Sequence, residues 1–200
     1  MWSGWGRFSR LDLAARERDD LHYAVVNRGL VIGALLAAGR PVRPAELAKL
    51  LGLAEADVAG RVAEVREFLA EQNLGLDVEE VAGGFRLIVD RGLAGALAPV
   101  LGPPPFPALT PAAIETLAVI AYRQPVTRGE VEAIRGSSCA STLITLQERE
   151  LVKAVGRKEV VGRPVLYRTT ERFLIEFGLR SLSDLPALNG AEELFGFVRG

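Results

Sequence analysis

Apolar residues return at helical spacing over three successive stretches and then switch to strict alternation, and the chain runs through this programme twice. From Ala24 to Ala38 the residues are mostly aliphatic, with Val31, Leu35 and Ala38 a turn apart and Gly39 placed to end a helix. Pro44 suits the first position of a short second helix, whose inward face is Leu47, Leu50 and Leu51 and whose stop is Gly52. Val58, Val62, Val65 and Leu69 mark a third helix with Glu64, Glu67 and Glu71 on its wet side. Its N-cap is Ala54, which forgoes about 1 kcal/mol relative to serine or aspartate. Residues 76–89 then alternate around Gly83-Gly84, as a β-hairpin does.

The second run carries stronger local signals. Thr110 caps a helix that begins at Pro111, Leu109 staples onto Ile114, and Ile114, Leu117, Ala118 and Ala121 form the buried stripe. Thr127 and Glu130 make a capping box for a short helix ended by Gly136, and Ser138 caps the next, Cys139 to about Arg149. Residues 151–155 and 165–169 read as strands, and Thr170 caps a last helix with Phe173, Leu174 and Phe177 on its inner side.

The two runs align without a gap from Ala34–Gly52 to Ala118–Gly136. Ala34/Ala118, Ala37/Ala121, Pro41/Pro125, Val42/Val126, Glu46/Glu130 and Gly52/Gly136 are identical. Three helices followed by a hairpin, twice, is the order of a winged helix-turn-helix. The expected fold is mainly α with small β wings (α+β): two tandem winged helix-turn-helix domains joined by a proline-rich linker. The expected boundaries are an N-terminal extension, 1–20; a first domain, 21–101; a linker, 102–109, whose prolines favour an extended spacer; a second domain, 110–186; and a tail, 187–200.

Composition narrows the function more than the fold. With 49% hydrophobic residues in 200 there is core enough for two small domains, and a net charge of −1 gives no whole-chain attraction to phosphate. A single cysteine, Cys139, excludes an internal disulfide and a thiolate cluster, and the only histidine, His22, lies outside both repeats. No metal-ligand cluster, phosphate loop or nucleophile–base pair is readable, so no enzyme and no cofactor are expected. Neither a signal peptide nor a spanning segment is visible, which points to the cytoplasm and to no membrane partner.

Residues 117–136 (Leu-Ala-Val-Ile-Ala-Tyr-Arg-Gln-Pro-Val-Thr-Arg-Gly-Glu-Val-Glu-Ala-Ile-Arg-Gly), 155–167 (Val-Gly-Arg-Lys-Glu-Val-Val-Gly-Arg-Pro-Val-Leu-Tyr) and 177–186 (Phe-Gly-Leu-Arg-Ser-Leu-Ser-Asp-Leu-Pro) together resemble the bacterial segregation and condensation protein B family. The resemblance runs from about Val25 to Pro186. It implies a non-enzymatic homodimer that serves the chromosome-organising SMC complex by binding its kleisin subunit, segregation and condensation protein A, and reaches the SMC protein through that kleisin. The location it implies is the cytoplasm, at the nucleoid. The lead before Leu21, with Trp2 and Trp5, and the Ala54 cap depart from the family pattern. The rival class is a tandem winged-helix DNA-binding transcriptional regulator.

The third helix of the second domain, where a recognition helix would lie, offers Ser141, Thr142, Thr145 and Gln147 and places Arg149 between two glutamates, so DNA contact is expected to be weak. The wing loop concentrates Arg157, Lys158 and Arg163, readable either as a solvated tip or as a contact to phosphate or an acidic partner. Tyr122, Arg123 and Gln124 are either a turn packed on their own domain or, with Tyr167, part of a partner-binding edge. The first helix of the first domain is apolar nearly all round, so Val25, Val26, Val31, Ile32, Leu35 and Leu36 are candidates for a dimer interface.

Overall fold

The computed structural model describes residues 27–101 and 106–187. Its contacts divide the chain into two compact units, Met1–Leu97 and Ala98–Gly200. The chain is mixed α+β, mostly helical with small antiparallel sheets.

In the first unit α1 (residues 27–38) is followed by α2 (Pro44–Leu51), α3 (Glu55–Glu71) and the hairpin of β1 (Leu76–Val81) and β2 (Gly84–Val89). A 3-10 turn, Arg91–Leu93, leads into α4 (Ala94–Leu101). The core gathers Val31 and Leu35 of α1, Leu47 and Leu51 of α2, the α3 stripe Val58, Val62, Val65 and Leu69, and Val78 and Phe85 of the hairpin. Leu50, expected to point inward, is half exposed; Ala48 takes its place on the buried side of α2. Ala54 stands at the N-cap of α3 with no side-chain hydrogen bond, the weak start read from the sequence.

The hairpin turn lies one residue earlier than Gly83-Gly84. Ala82 and Gly83 are its central residues, both with positive φ, and Gly84 opens β2. Gly84 is needed for a different reason: a Cβ there would lie 2.8 Å from the Val42 carbonyl oxygen. That close approach lets Val42 and Phe85 exchange backbone hydrogen bonds of 2.8 and 2.9 Å, which ties the α1–α2 turn to the sheet. Gly84→Ala is therefore expected to force Val42 off the sheet and to destabilise the first unit by about 1–3 kcal/mol, the range for overpacking, read as a lowered urea midpoint at unchanged slope.

The second unit repeats the order with a better-built sheet. It contains α5 (Pro111–Arg123), β3 (Val126–Thr127), α6 (Arg128–Arg135), α7 (Ala140–Glu148), β4 (Val152–Arg157), β5 (Val165–Thr169) and α8 (Glu171–Phe177), in strand order β3-β5-β4. Val126, the repeat partner of Val42, pairs with Tyr167 of β5 as Val42 pairs with Phe85 of β2. Gly52 and Gly136 end α2 and α6 in the same left-handed conformation, with φ of 66° and 69°. The repeat thus persists to single residues in the folded chain.

Thr110, Thr127 and Thr170 cap α5, α6 and α8, each accepting from the amide three residues on. Ser138 does not cap α7: its hydroxyl donates to Glu132, which also accepts from the Cys139 amide, and Cys139 is the N-cap residue. The α5 stripe is also rotated from the expected one. Ile114 is half exposed, and Ala113, Leu117, Ile120 and Ala121 face the core with Val131, Leu143, Leu146 and Phe173. Cys139 is buried in this core, where burial pushes its thiol pKa up, the setting of a small core residue rather than a reactive one.

Candidate partner-binding site

The loop between β4 and β5 of the second unit is ordered by its own backbone. The Lys158 amide donates to the Pro164 carbonyl and the Arg163 amide to the Val160 carbonyl, each at 2.9 Å. These bonds close a loop that lifts Val160 and Val161 into solvent, Val161 completely. The three cations read from the sequence are less available than their number suggests. Lys158 donates to Glu130 at the start of α6, Arg163 pairs with Glu159 at 3.3 Å, and the Arg157 guanidinium donates to the Arg163 carbonyl at 3.0 Å. The loop is thus a wired tip with two of its cations neutralised.

Glu130 joins the capping box to the β4–β5 loop. Its carboxylate accepts from the Thr127 amide and hydroxyl, both at 2.8 Å, and from Lys158. The Lys158 ammonium first, and the Thr127 amide and hydroxyl after it, hold its pKa down from the ordinary 4.5 to about 2. A folded-state value below the unfolded one means a contribution that is complete above about pH 4.5 and is lost as pH falls towards 2. Both side chains are more than 40% exposed, so solvent screens the pair and the effect is modest. Lys158→Ala should flatten the loss of stability of the second unit between pH 4.5 and 2, followed by thermal melts across that window.

At the end of α5, the Tyr122 hydroxyl donates to the Pro186 carbonyl at 2.9 Å and so holds down the strap that follows α8. Burial raises the Tyr122 pKa. Gln124 is engaged within its own unit: its Oε1 accepts from the Thr169 amide and hydroxyl at 2.8 and 3.0 Å, and its Nε2 donates to the Ala121 carbonyl at 3.0 Å. An amide with both ends engaged inside the unit is a strut between α5 and β5. Tyr167 is also internal in large part, half buried between Val126 and Ala154 and packed against the core. Arg123 is exposed and, among the described residues, makes no ion pair.

One feature escaped the sequence reading. Lys153 and Arg168 stand directly opposite each other on β4 and β5, both exposed, giving a small cationic strip outside the β4–β5 loop. Alternation hides such a pair, because register across strands is a tertiary fact. On α7 the exposed residues are Ser141, Ile144, Thr145, Gln147 and Glu148, with no cation among them.

On α1 the structure sorts the dimer candidates. Val31 and Leu35 are buried within the core of their own unit and are corrected from interface to core. Ile32 is half buried against that core, Leu36 is 69% exposed, and Val25 and Val26 lie outside the described residues. The outward face of α1 is Leu30, Leu36, Ala37 and two glycines, Gly29 and Gly33, beside which a Cβ would meet open space. It carries no charge.

Among the described residues no group of His, Cys, Asp or Glu could hold a metal ion, and no helix is long and apolar enough to cross a membrane. The family description "Segregation and condensation complex subunit ScpB" matches residues 29–188. The chain belongs to the ScpB family. It is 48% identical over 154 residues to segregation and condensation protein B of Moorella thermoacetica, covering 77% of this chain and 78% of that one. It is 40% identical over 173 residues to the same protein of Geobacillus thermodenitrificans, covering 86% and 83%. A crystal structure of ScpB from Mycobacterium tuberculosis is 33% identical, with 78% of this chain and 97% of that chain covered and a TM-score of 0.37. As a member of the ScpB family the chain is a non-enzymatic subunit of the SMC complex, acting in chromosome segregation and condensation.

Proposed function

We propose that each unit works as a winged helix, that two chains associate through the first unit, residues 21–101, and that the second, 110–186, binds the kleisin subunit, segregation and condensation protein A, and through it the SMC protein. The place of action is the cytoplasm, at the nucleoid. The observation that carries this reading is α7. In a DNA-binding winged helix the third helix supplies arginines and lysines to the groove, whereas α7 presents Ser141, Ile144, Thr145 and Gln147. An uncharged surface with an exposed isoleucine suits burial against protein. Arg123 and the Val160-Val161 tip, flanked by Arg157 and Arg163, are further exposed candidates for that contact. Lys153 and Arg168 allow a weak phosphate contact, which would fall steeply with salt.

The test is co-purification with the kleisin from the same genome, read by light scattering at moderate salt beside a DNA gel shift. Two copies of this chain with one kleisin and no shift is the expected result. Salt-sensitive DNA binding without kleisin association would instead favour the transcriptional regulator.

A further inference from the structure

A mostly apolar groove of about 370 Å³ opens on the second unit between the segment leading into α5 and the last helix, within the ~300–1,000 Å³ span of ligand clefts. Phe106, Pro107, Leu109, Leu151 and Phe177 line it. Phe177, expected on the inner side of α8, is instead 48% exposed, and Phe106 across from it is 45% exposed. Both rings are held in place. Phe177 packs on Phe173 at a centroid distance of 4.8 Å, and the Arg149 guanidinium lies 5.3 Å over Phe106 while donating to the Pro107 carbonyl at 2.6 Å. Two fixed, half-exposed aromatics facing one cleft form a receptacle for apolar side chains. The rim is cationic on balance, with Arg149 and Arg172 against Glu176.

We propose that this groove binds the C-terminal segment of the same chain, Glu192-Glu-Leu-Phe-Gly-Phe-Val198, with its leucine and phenylalanines in the cleft and its two carboxylates at the arginine rim. The segment lies outside the described residues, and its sequence supplies what the groove lacks: apolar bulk directly preceded by a pair of acids. Reach permits it. Pro186 is held at the C-terminal end of α5 by Tyr122, and Leu109 stands just before the N-terminal end of that 13-residue helix, about 20 Å away. Phe195 follows Ala187 by eight residues, which span up to about 26 Å when extended. Charge selects the segment over the other aromatic terminus, since the lead around Trp2, Trp5 and Phe8 carries Arg7 and Arg10. It also selects the groove: the larger one on the first unit sets Glu67, Asp77 and Asp90 against Arg66, the wrong sign for two glutamates.

The test uses a fluorescent peptide of residues 190–200 and two full-length proteins, the natural chain and one carrying Leu194→Ser, Phe195→Ser and Phe197→Ser. An attached segment competes at an effective concentration of about 1 mM, so the labelled peptide should bind the natural chain at least about tenfold more weakly than the variant. Adding Arg172→Glu to the variant should weaken the peptide by a further factor of about ten, and a peptide with Glu192→Lys and Glu193→Lys should recover that loss. Arg172 is exposed and, among the described residues, pairs only with Glu176 one turn on, so the fold tolerates the change, which circular dichroism verifies. Equal binding to both full-length proteins, or indifference to Arg172→Glu, overturns the proposal. Masking in the natural chain that disappears on dilution to nanomolar protein assigns the groove to a second copy's tail, and overturns it as well.

Discussion

Glu115→Ala is expected to destabilise the second unit by about 3 kcal/mol, the lower end of the range for removing one partner of a buried ion pair. The reason lies in the partner left behind. Arg135, on the last turn of α6, has a side chain only 5% exposed, and its Nη2 donates to Glu115 of α5 at 3.0 Å. Its Nε and Nη1 find no hydrogen-bond partner among the described residues. Among the described residues Glu115 is therefore the acid that offsets the desolvation of that guanidinium, and alanine leaves the charge buried without it. Glu115 is itself 27% exposed, so water relieves part of the penalty, which argues for 3 rather than 5 kcal/mol. At roughly 4–8 °C per kcal/mol for a domain of this size, the melting transition of the second unit should fall by at least about 12 °C. Pairing Glu115→Ala with Arg135→Met should restore most of the loss, since the buried charge is then gone and its methylene stem is kept. A double variant no more stable than Glu115→Ala alone would show that packing around Glu115, not the ion pair, sets the stability.

Arg135 also marks the boundary of what the sequence disclosed. Local signals were read with success wherever the residue that makes the structure is near the residue that needs it. The threonine caps, the glycine stops and the α3 stripe are all settled within four residues of chain, and the repeat located the glycine stop twice, at Gly52 and Gly136. Errors arose where a distant neighbour decides. Gly84 looks like half of a hairpin turn until Val42, forty-two residues earlier, is seen to need the space of its missing side chain. Leu50, Ile114 and Phe177 are apolar at helical spacing, yet each sits at the margin of its buried stripe, where a rotation of a few tens of degrees moves a side chain from core to solvent.

The site was less legible than the fold for the same reason. Arg157, Lys158 and Arg163 form an evident cluster in the sequence, but the acids that engage two of them are Glu159 beside them and Glu130 at the start of α6, twenty-eight residues before Lys158. Counting cations in a loop therefore overstated its free charge, while Lys153 and Arg168, fifteen residues apart and facing each other across strands, went unseen. Gln124 stands next to exposed Arg123 and shares its polarity, but three hydrogen bonds to Ala121 and Thr169 make it a strut. A polar residue near a surface becomes a candidate for recognition only after its internal partners are known.

Leu36→Asp should convert the proposed homodimer to a single chain at micromolar concentration. The outward face of α1 runs through Leu36, Gly29, Gly33, Ala37 and Leu30, which at 100° per residue fall within about a third of the helix circumference, opposite Val31 and Leu35. Gly29 and Gly33 at its centre leave the backbone bare, so a second α1 can approach closely, and the flanking leucines then close over the contact. A twofold interface repeats every substitution, so each Leu36→Asp places two carboxylates in one apolar contact. At about 1.5 kcal/mol or more per buried unpaired group, the pair costs at least about 3 kcal/mol, more than a hundredfold in the dissociation constant. The isolated fold should hardly notice, because Leu36 is 69% exposed within its own unit and surface replacements of that kind stay within about 0.5 kcal/mol. Light scattering of the full chain should therefore drop from the mass of two chains to that of one, while the melting of the second unit stays fixed. Leu35→Asp is the contrasting variant: its side chain is in the core, so it should unfold the first unit rather than yield a folded monomer. A natural chain that already scatters as one chain at micromolar concentration, or a Leu36→Asp chain that still scatters as two, would remove α1 from the interface and leave its uncharged face to another partner.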